Sequence, residues 1–202
     1  MNGAGRSFAI VPACGQSRRM GTDKLTLPWQ NSTILETVIE AWLASQVDHI
    51  LVVIPAQRAD LRHLLAEKSI EIVPAESVPP DMKGTVQLGL AKIAETFQPN
   101  QEDFWLVAPA DMPTLSPTTI DAILAQQAKF PKNILVPVCG DQRGHPALFP
   151  WKLSEGVFRL ASDEGIKSLF RQNLLQEVPV SELGKDANTP QELQDLRERY
   201  ER

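Results

Sequence analysis

This chain of 202 residues predicts an α/β fold built on a mostly parallel sheet with helices on both faces. Three observations point there. Short continuous apolar runs recur along the chain, amphipathic helical stripes separate them, and a glycine-bearing turn follows the first run at its carboxyl end.

The elements follow in order. Ser7-Phe8-Ala9-Ile10-Val11 reads as a buried parallel strand. Leu35, Val38, Ile39, Trp42 and Leu43 recur at helical spacing and predict a helix over about 32–45. The apolar run 49–54 is a second strand ended by Pro55, residues 59–67 read as helix, and 70–73 as a short strand. Val86, Leu90, Ile93 and Phe97 mark a further helix, and 104–108 a further strand. Ser116 before Pro117 combines an N-cap with a proline at the first helical position, and Ile120, Ile123 and Leu124 continue that helix. After a strand at 134–138 the texture changes to turns and short elements, from Gly140 to Pro179. That stretch, about 140–180, reads as an insertion over the sheet edge that closes on a second substrate. Thr189-Pro190-Gln191-Glu192 matches a capping box and opens a last helix through Leu193, Leu196 and Tyr200. No low-complexity linker divides the chain, so residues 1–202 read as a single domain.

A formal net charge of −5 argues against a nucleic-acid binder that works through a broad basic face. Cys14 and Cys139 form no C-x-x-C pair, which supports neither a zinc knuckle nor a disulfide framework. No apolar run approaches the ~20 residues that a bilayer-crossing helix needs, and no signal-peptide core precedes the first strand. A cytoplasmic protein without membrane or nucleic-acid partners is the expectation.

The chemistry concentrates between Pro12 and Pro28, in PACGQSRRMGTDKLTLP. Ligands of open α/β sheets sit at the carboxyl ends of the strands. Ala13, Cys14 and Gly15 have little bulk, so backbone amides can approach an anion, while Arg19 and Lys24 bring positive charge to a polyphosphate. A Walker A loop is excluded, because five residues separate Gly15 from Gly21 and no Lys-Ser or Lys-Thr follows; a dinucleotide fingerprint lacks its third glycine. Asp111, just past the strand at 104–108, is placed to hold a divalent cation against phosphate oxygens, although a turn aspartate also bonds local backbone. His145 beside Gly144 reads equally as a donor to an acceptor substrate or as a turn histidine bonded to backbone.

Ala13, Gly15, Ser17, Arg19, Met20, Gly21 and Lys24 fall in register with the signature A-x-G-x-S-x-R-M-G-x-x-K, and the chain resembles the molybdenum cofactor and sugar-1-phosphate nucleotidyltransferases. Pro12 and Cys14 depart from that family's usual leucine and alanine or glycine. Pro109-Ala110-Asp111-Met112-Pro113 resembles the family's G-D-M-P segment, with Ala110 for glycine, and 186–190 resembles D-x-D/N-T-P. The resemblance implies a three-layer Rossmann-like nucleotidyltransferase fold and Mg2+ held by Asp111 and Asn188, with Asp186 assisting. It also implies that Met82 and Thr85, in a segment similar to G-M-x-x-S-L-x-x-G-L, join Ala13, Cys14, Gly15, Ser17, Arg19 and Lys24 in binding nucleotide. Residues 144–149 resemble G-H-P-x-L-F and 162–169 resemble G-D-x-G-x-R-x-L of the cytidylyl branch, which implies acceptor binding by His145 and Asp163.

The expected reaction moves a nucleoside monophosphate from a triphosphate, CTP favoured because Cys14 is nearer to alanine in bulk, to a phosphate-bearing acceptor of molybdopterin type. Pyrophosphate leaves, and the product is delivered to a molybdoenzyme. Lys24, Arg19 and Asp111 are the expected catalytic residues, converging on one triphosphate tail. The alternatives are a guanylyl or sugar-1-phosphate transferase, or a degenerate module that binds nucleotide without transferring it.

Overall fold

The computed structural model describes residues 5–15 and 23–200. Strand β1 (Ser7–Pro12) is followed by a 3-10 turn at Lys24–Thr26 and a two-residue-per-arm hairpin, β2 (Pro28–Trp29) and β3 (Ser32–Thr33). Then come α1 (Ile34–Leu43), β4 (His49–Pro55), α2 (Ala59–Leu65), β5 (Glu71–Ala75), α3 (Met82–Phe97) and β6 (Phe104–Val107). The second half holds α4 (Pro117–Leu124), β7 (Ile134–Cys139), β8 (Gln142–Arg143), β9 (Ala147–Pro150), α5 (Ser154–Arg159), β10 (Leu175–Pro179) and α6 (Pro190–Tyr200).

The main sheet runs β10-β7-β9-β6-β1-β4-β5, with β8 paired to β7. Pairs β1–β4, β1–β6, β4–β5 and β7–β10 are parallel, and β9 lies antiparallel between β6 and β7. Alternation along β1 decides the layers. Ala9 and Val11 face the core shared with Leu35, Val38, Ile39 and Trp42 of α1, Leu61 of α2 and Ile120 of α4. Phe8 and Ile10 face the opposite core, with Val86, Leu90 and Ile93 of α3 and Val157 of α5. The expected three-layer arrangement of a mostly parallel sheet with helices on both faces is therefore present.

Local chemistry sets the helix ends. Thr33 and Glu36 form a capping box at α1, so the helix begins at Ile34 while Ser32 and Thr33 belong to the hairpin. Ser116 accepts a hydrogen bond from the Thr119 amide, with Pro117 opening α4, as the sequence predicts. At α6 the Thr189 hydroxyl accepts from the Glu192 amide, and the Glu192 carboxylate reaches the Asn188 amide one residue earlier than a capping box requires. Trp29, Ile34, Ala187, Leu193 and Leu196 form a third small core, which docks α6 on the hairpin.

The turn-rich stretch after Gly140 differs from its sequence reading. It supplies three strands of the main sheet, β8 paired to β7, β9 within it and β10 at its edge, besides the short helical turns that pack on the α3 face. Ala147-Leu148-Phe149-Pro150 is wholly buried yet only four residues long, too short for any periodicity to declare a strand.

Candidate active site

The loops after β1 and β6 leave adjacent strands at the same end of the sheet, which is where parallel pairing puts a ligand site. They are bonded to each other, Ala110 N–H to the Pro12 carbonyl at 3.4 Å, and Ala13 N–H continues to the Val53 carbonyl of β4 at 2.9 Å. Cys14 is buried, and its Sγ donates to the same Val53 carbonyl at 3.5 Å. Burial pushes the Cys14 thiol up, against a lowering hydrogen bond with Thr85, which keeps it protonated at neutral pH.

Lys24 and Asp111 meet as an ion pair. The Lys24 ammonium also donates to Asn188 Oδ1 at 3.3 Å and to the Ala187 carbonyl at 3.5 Å. Backbone pairing brings the third residue in, since Ala187 N–H donates to the Asp111 carbonyl at 3.3 Å. Asp186 then orients the amide. Its Oδ2 accepts from Asn188 Nδ2 at 2.6 Å, which leaves the Asn188 carbonyl oxygen turned to Lys24. Asp111 Oδ1 is buried with no hydrogen-bond partner among the described residues, the kind of orphaned acceptor that a cation satisfies. Asp111 and Asn188 thus offer hard oxygens that suit a divalent ion. Among the described residues no three His, Cys, Asp or Glu side chains group to hold a metal, so these two would be a thin ligand set on their own.

A cavity of about 540 Å3 opens over this cluster. Ala13, Cys14, Gly15, Lys24, Met82, Thr85, Asp111 and Asn188 line it, so seven of the sequence's nucleotide and metal candidates share one wall system with Lys24. Ser17 and Arg19, with Met20 and Gly21, lie outside the described residues. The α3 N-terminus points into the same cavity, capped by Asp81, whose carboxylate accepts from Gly84 N–H at 2.8 Å.

A second cavity of about 1080 Å3 adjoins it and shares Asp81, Met82, Pro109 and Asn188 with the first. His145 and Asp163 both line it, with Phe149, Phe170, Ile166 and Val136 as apolar walls and Arg143, Lys167 and Lys185 as cations. His145 Nδ1 lies 3.2 Å from the Val107 carbonyl, which can only accept, so Nδ1 carries the proton. Burial pushes the imidazole's pKa down, partly offset by that bond, so the ring is neutral at pH 7 and Nε2 is a bare acceptor. In this tautomer Nε2 would meet an acceptor substrate by taking a hydrogen bond, where the sequence reading expects His145 to donate one. The turn-histidine reading, bonded to backbone, matches this tautomer.

Lys83 escaped the sequence reading. It is buried, and its ammonium donates to the carbonyls of Ala161 and Ser162, the latter at 3.2 Å, which ties the loop bearing Asp163 to α3. A lysine inside an amphipathic helix ordinarily reads as solvated surface, so only the contact reveals it.

Two adjoining cavities at the carboxyl edge of such a sheet, with a lysine–carboxylate pair in the smaller one, suit a protein that binds two anionic substrates side by side. The chain belongs to the MobA-like NTP transferase domain family, whose model matches residues 9–178. It is a nucleotidyltransferase. It is 29% identical over 194 residues to the probable molybdenum cofactor guanylyltransferase of Mycobacterium avium, covering 93% of each chain. It is 27% identical over 198 residues to the molybdenum cofactor cytidylyltransferase of Escherichia coli, covering 95% of each. Among solved structures, Rv0371c from Mycobacterium tuberculosis H37Rv shares the fold with a TM-score of 0.82 at 22% identity, covering 96% of this chain and 98% of that one. A complex of Rv0371C with manganese aligns with a TM-score of 0.76 at 19% identity, over 96% and 98% of the two chains.

Proposed function

We propose that this nucleotidyltransferase moves CMP from CTP to a phosphate-bearing acceptor of molybdopterin type, with release of pyrophosphate. The observation that carries the reading is that the two cavities share Asn188, which Lys24 of the smaller cavity contacts beside Asp111, so a triphosphate in the smaller and an acceptor in the larger would bring their phosphates together. Asp111 and Asn188 would hold a divalent cation, Mg2+ or Mn2+, and the ion would neutralise charge between the phosphates. The phosphate of the acceptor is already anionic near neutral pH and needs no strong base. Catalysis therefore rests on alignment and on charge stabilisation by Lys24 and Arg19. Ala13, Cys14, Gly15, Ser17, Met82 and Thr85 would bind the nucleotide, and the buried Cys14 side chain favours a pyrimidine over a bulkier purine.

His145 and Asp163 would bind the acceptor. With its Nε2 unprotonated, His145 would take a hydrogen bond from an N–H or O–H of the acceptor, leaving Lys167, Lys185 and Arg143 for its anionic group. The apolar walls suit a flat ring system. Hand-over of the product to a molybdoenzyme and a cytoplasmic setting complete the proposal; no helix among the described residues is long and apolar enough to cross a membrane.

The guanylyl reading is favoured by the likeness to the Mycobacterium avium protein. Pyrophosphate release measured with CTP, GTP, ATP and UTP and a molybdopterin acceptor decides between them. CTP should give the largest rate, and a preference for GTP overturns the base assignment. Lys24→Ala and Asp111→Ala should each lower turnover by about 10²–10³-fold with the fold intact, as loss of a preorganised charge typically does. Unchanged rates in both variants remove the proposed catalytic roles.

A further inference from the structure

Lys24 stands on the same oxygens that would receive the metal. Its ammonium pairs with Asp111 and donates to Asn188 Oδ1 at 3.3 Å, with the Ala187 carbonyl as a third partner. The site is largely enclosed, the side chains of Lys24 and Asp111 being 12% and 18% exposed, so the two charges are poorly screened by solvent. An ammonium and a divalent ion cannot occupy that position together.

We propose that Lys24 is a resident placeholder cation: it neutralises Asp111 in the empty enzyme and leaves when a triphosphate arrives, so that the metal site is completed only together with nucleotide. The inference rests on the reading of Asp111 and Asn188 as metal ligands.

Two independent observations support it. Among the described residues no set of three acidic, histidine or cysteine side chains groups to hold a metal, so Asp111 and Asn188 leave most of a coordination shell to other oxygens, which the phosphates of a triphosphate would supply in part. The other carboxylate oxygen, Asp111 Oδ1, is buried and has no hydrogen-bond partner among the described residues, which leaves one acceptor poised for a cation even while Lys24 holds its neighbour. A triphosphate supplies the competing anion that draws the lysine off. Nucleotide and metal should then bind with positive coupling, and Lys24 should account for much of it. A benefit is charge balance. Asp111 is never buried without a countercharge, and a free divalent ion is not trapped in an unproductive site.

The test is Mn2+ binding, followed by loss of the free-ion electron paramagnetic resonance signal, and needs no turnover. Without nucleotide the unaltered protein should bind Mn2+ weakly, and Lys24→Gln should bind it about tenfold or more tightly, within the range usual for coupling between sites. Lys24→Met, which keeps the stem and drops the charge, should behave likewise, and a melting scan of each variant shows that it is folded. Asp111→Asn should lose the site in either background. An uncleavable α,β-methylene triphosphate, in cytidine and guanosine versions and corrected for its own Mn2+ binding, should tighten Mn2+ more in the unaltered protein than in Lys24→Gln. Equal Mn2+ affinity in unaltered, Lys24→Gln and Lys24→Met proteins, with Asp111→Asn still abolishing it, overturns the placeholder and leaves the metal site standing. Mn2+ binding indifferent to Asp111→Asn overturns the metal reading and this inference with it.

Discussion

At Asp103, a carboxylate only 1% exposed accepts from the backbone amides of Arg6 at 2.8 Å and Asn100 at 2.9 Å and from the Arg6 guanidinium at 2.8 Å. Burial alone would push its pKa up, but these hydrogen bonds outweigh it and hold the carboxyl below its ordinary value. Asp103→Ala leaves two amides without a partner and should cost about 2–4 kcal/mol in urea denaturation at pH 7. The folded state binds the proton less readily than the unfolded chain. The stabilisation is therefore complete above about pH 4, the ordinary carboxylate range, and lost as pH falls through the depressed value. The gap between unaltered and Asp103→Ala proteins should narrow accordingly, and a gap constant down to pH 3 contradicts the argument. None of this was legible in the sequence, because Arg6 and Asp103 stand 97 positions apart. Asp111 was singled out less by its place after a buried strand, where a turn aspartate is common, than by the resemblance of residues 109–113 to G-D-M-P. The orientation of Asn188 by Asp186 was not legible, since an amide's direction depends on the partner that holds its nitrogen.

At the scale of elements, α3 crosses β1 closely enough that a Cβ on Gly89 would lie 2.7 Å from Ile10 Cγ2. Ile10 is fully buried and β-branched, so it has little room to give. Gly89→Ala gains helix propensity but overpacks this contact, and should destabilise by about 1–3 kcal/mol, read as a lowered melting temperature. An unchanged or raised melting temperature means the helix moves away freely. The helical stripes of α1 and α3 and the runs of β1, β4 and β6 were readable because each buries residues at its own period. Strand β9 was not. Its direction and its place between β6 and β7 follow from pairings with residues far away in the chain, such as Val107 with Ala147 and Leu135 with Leu148. The segment that reads as a turn-rich insertion thus also builds the sheet beneath the larger cavity, which Ala147 and Phe149 help to line.

For the whole molecule, binding of a triphosphate and metal to the folded state alone must raise the melting temperature. At about a hundredfold excess over Kd the gain is about 2.7 kcal/mol, or about 5–10 °C for a domain of this size. CTP should give the larger shift, and metal or nucleotide alone much less; no shift with any triphosphate would speak against a nucleotide site. By itself the sequence determined the main strands and helices as far as β7, the sides they bury and the small, cationic loop at the first strand's end, because burial at period 2 or 3.6 and turn chemistry are local. Only the tertiary structure decided that Lys24 rests on Asp111, that Asn188 returns from the far end of the chain to join them, and that the two cavities adjoin across a shared wall. Those meetings depend on how parallel crossovers stack strand ends along one edge, a long-range condition that no window of neighbouring residues encodes.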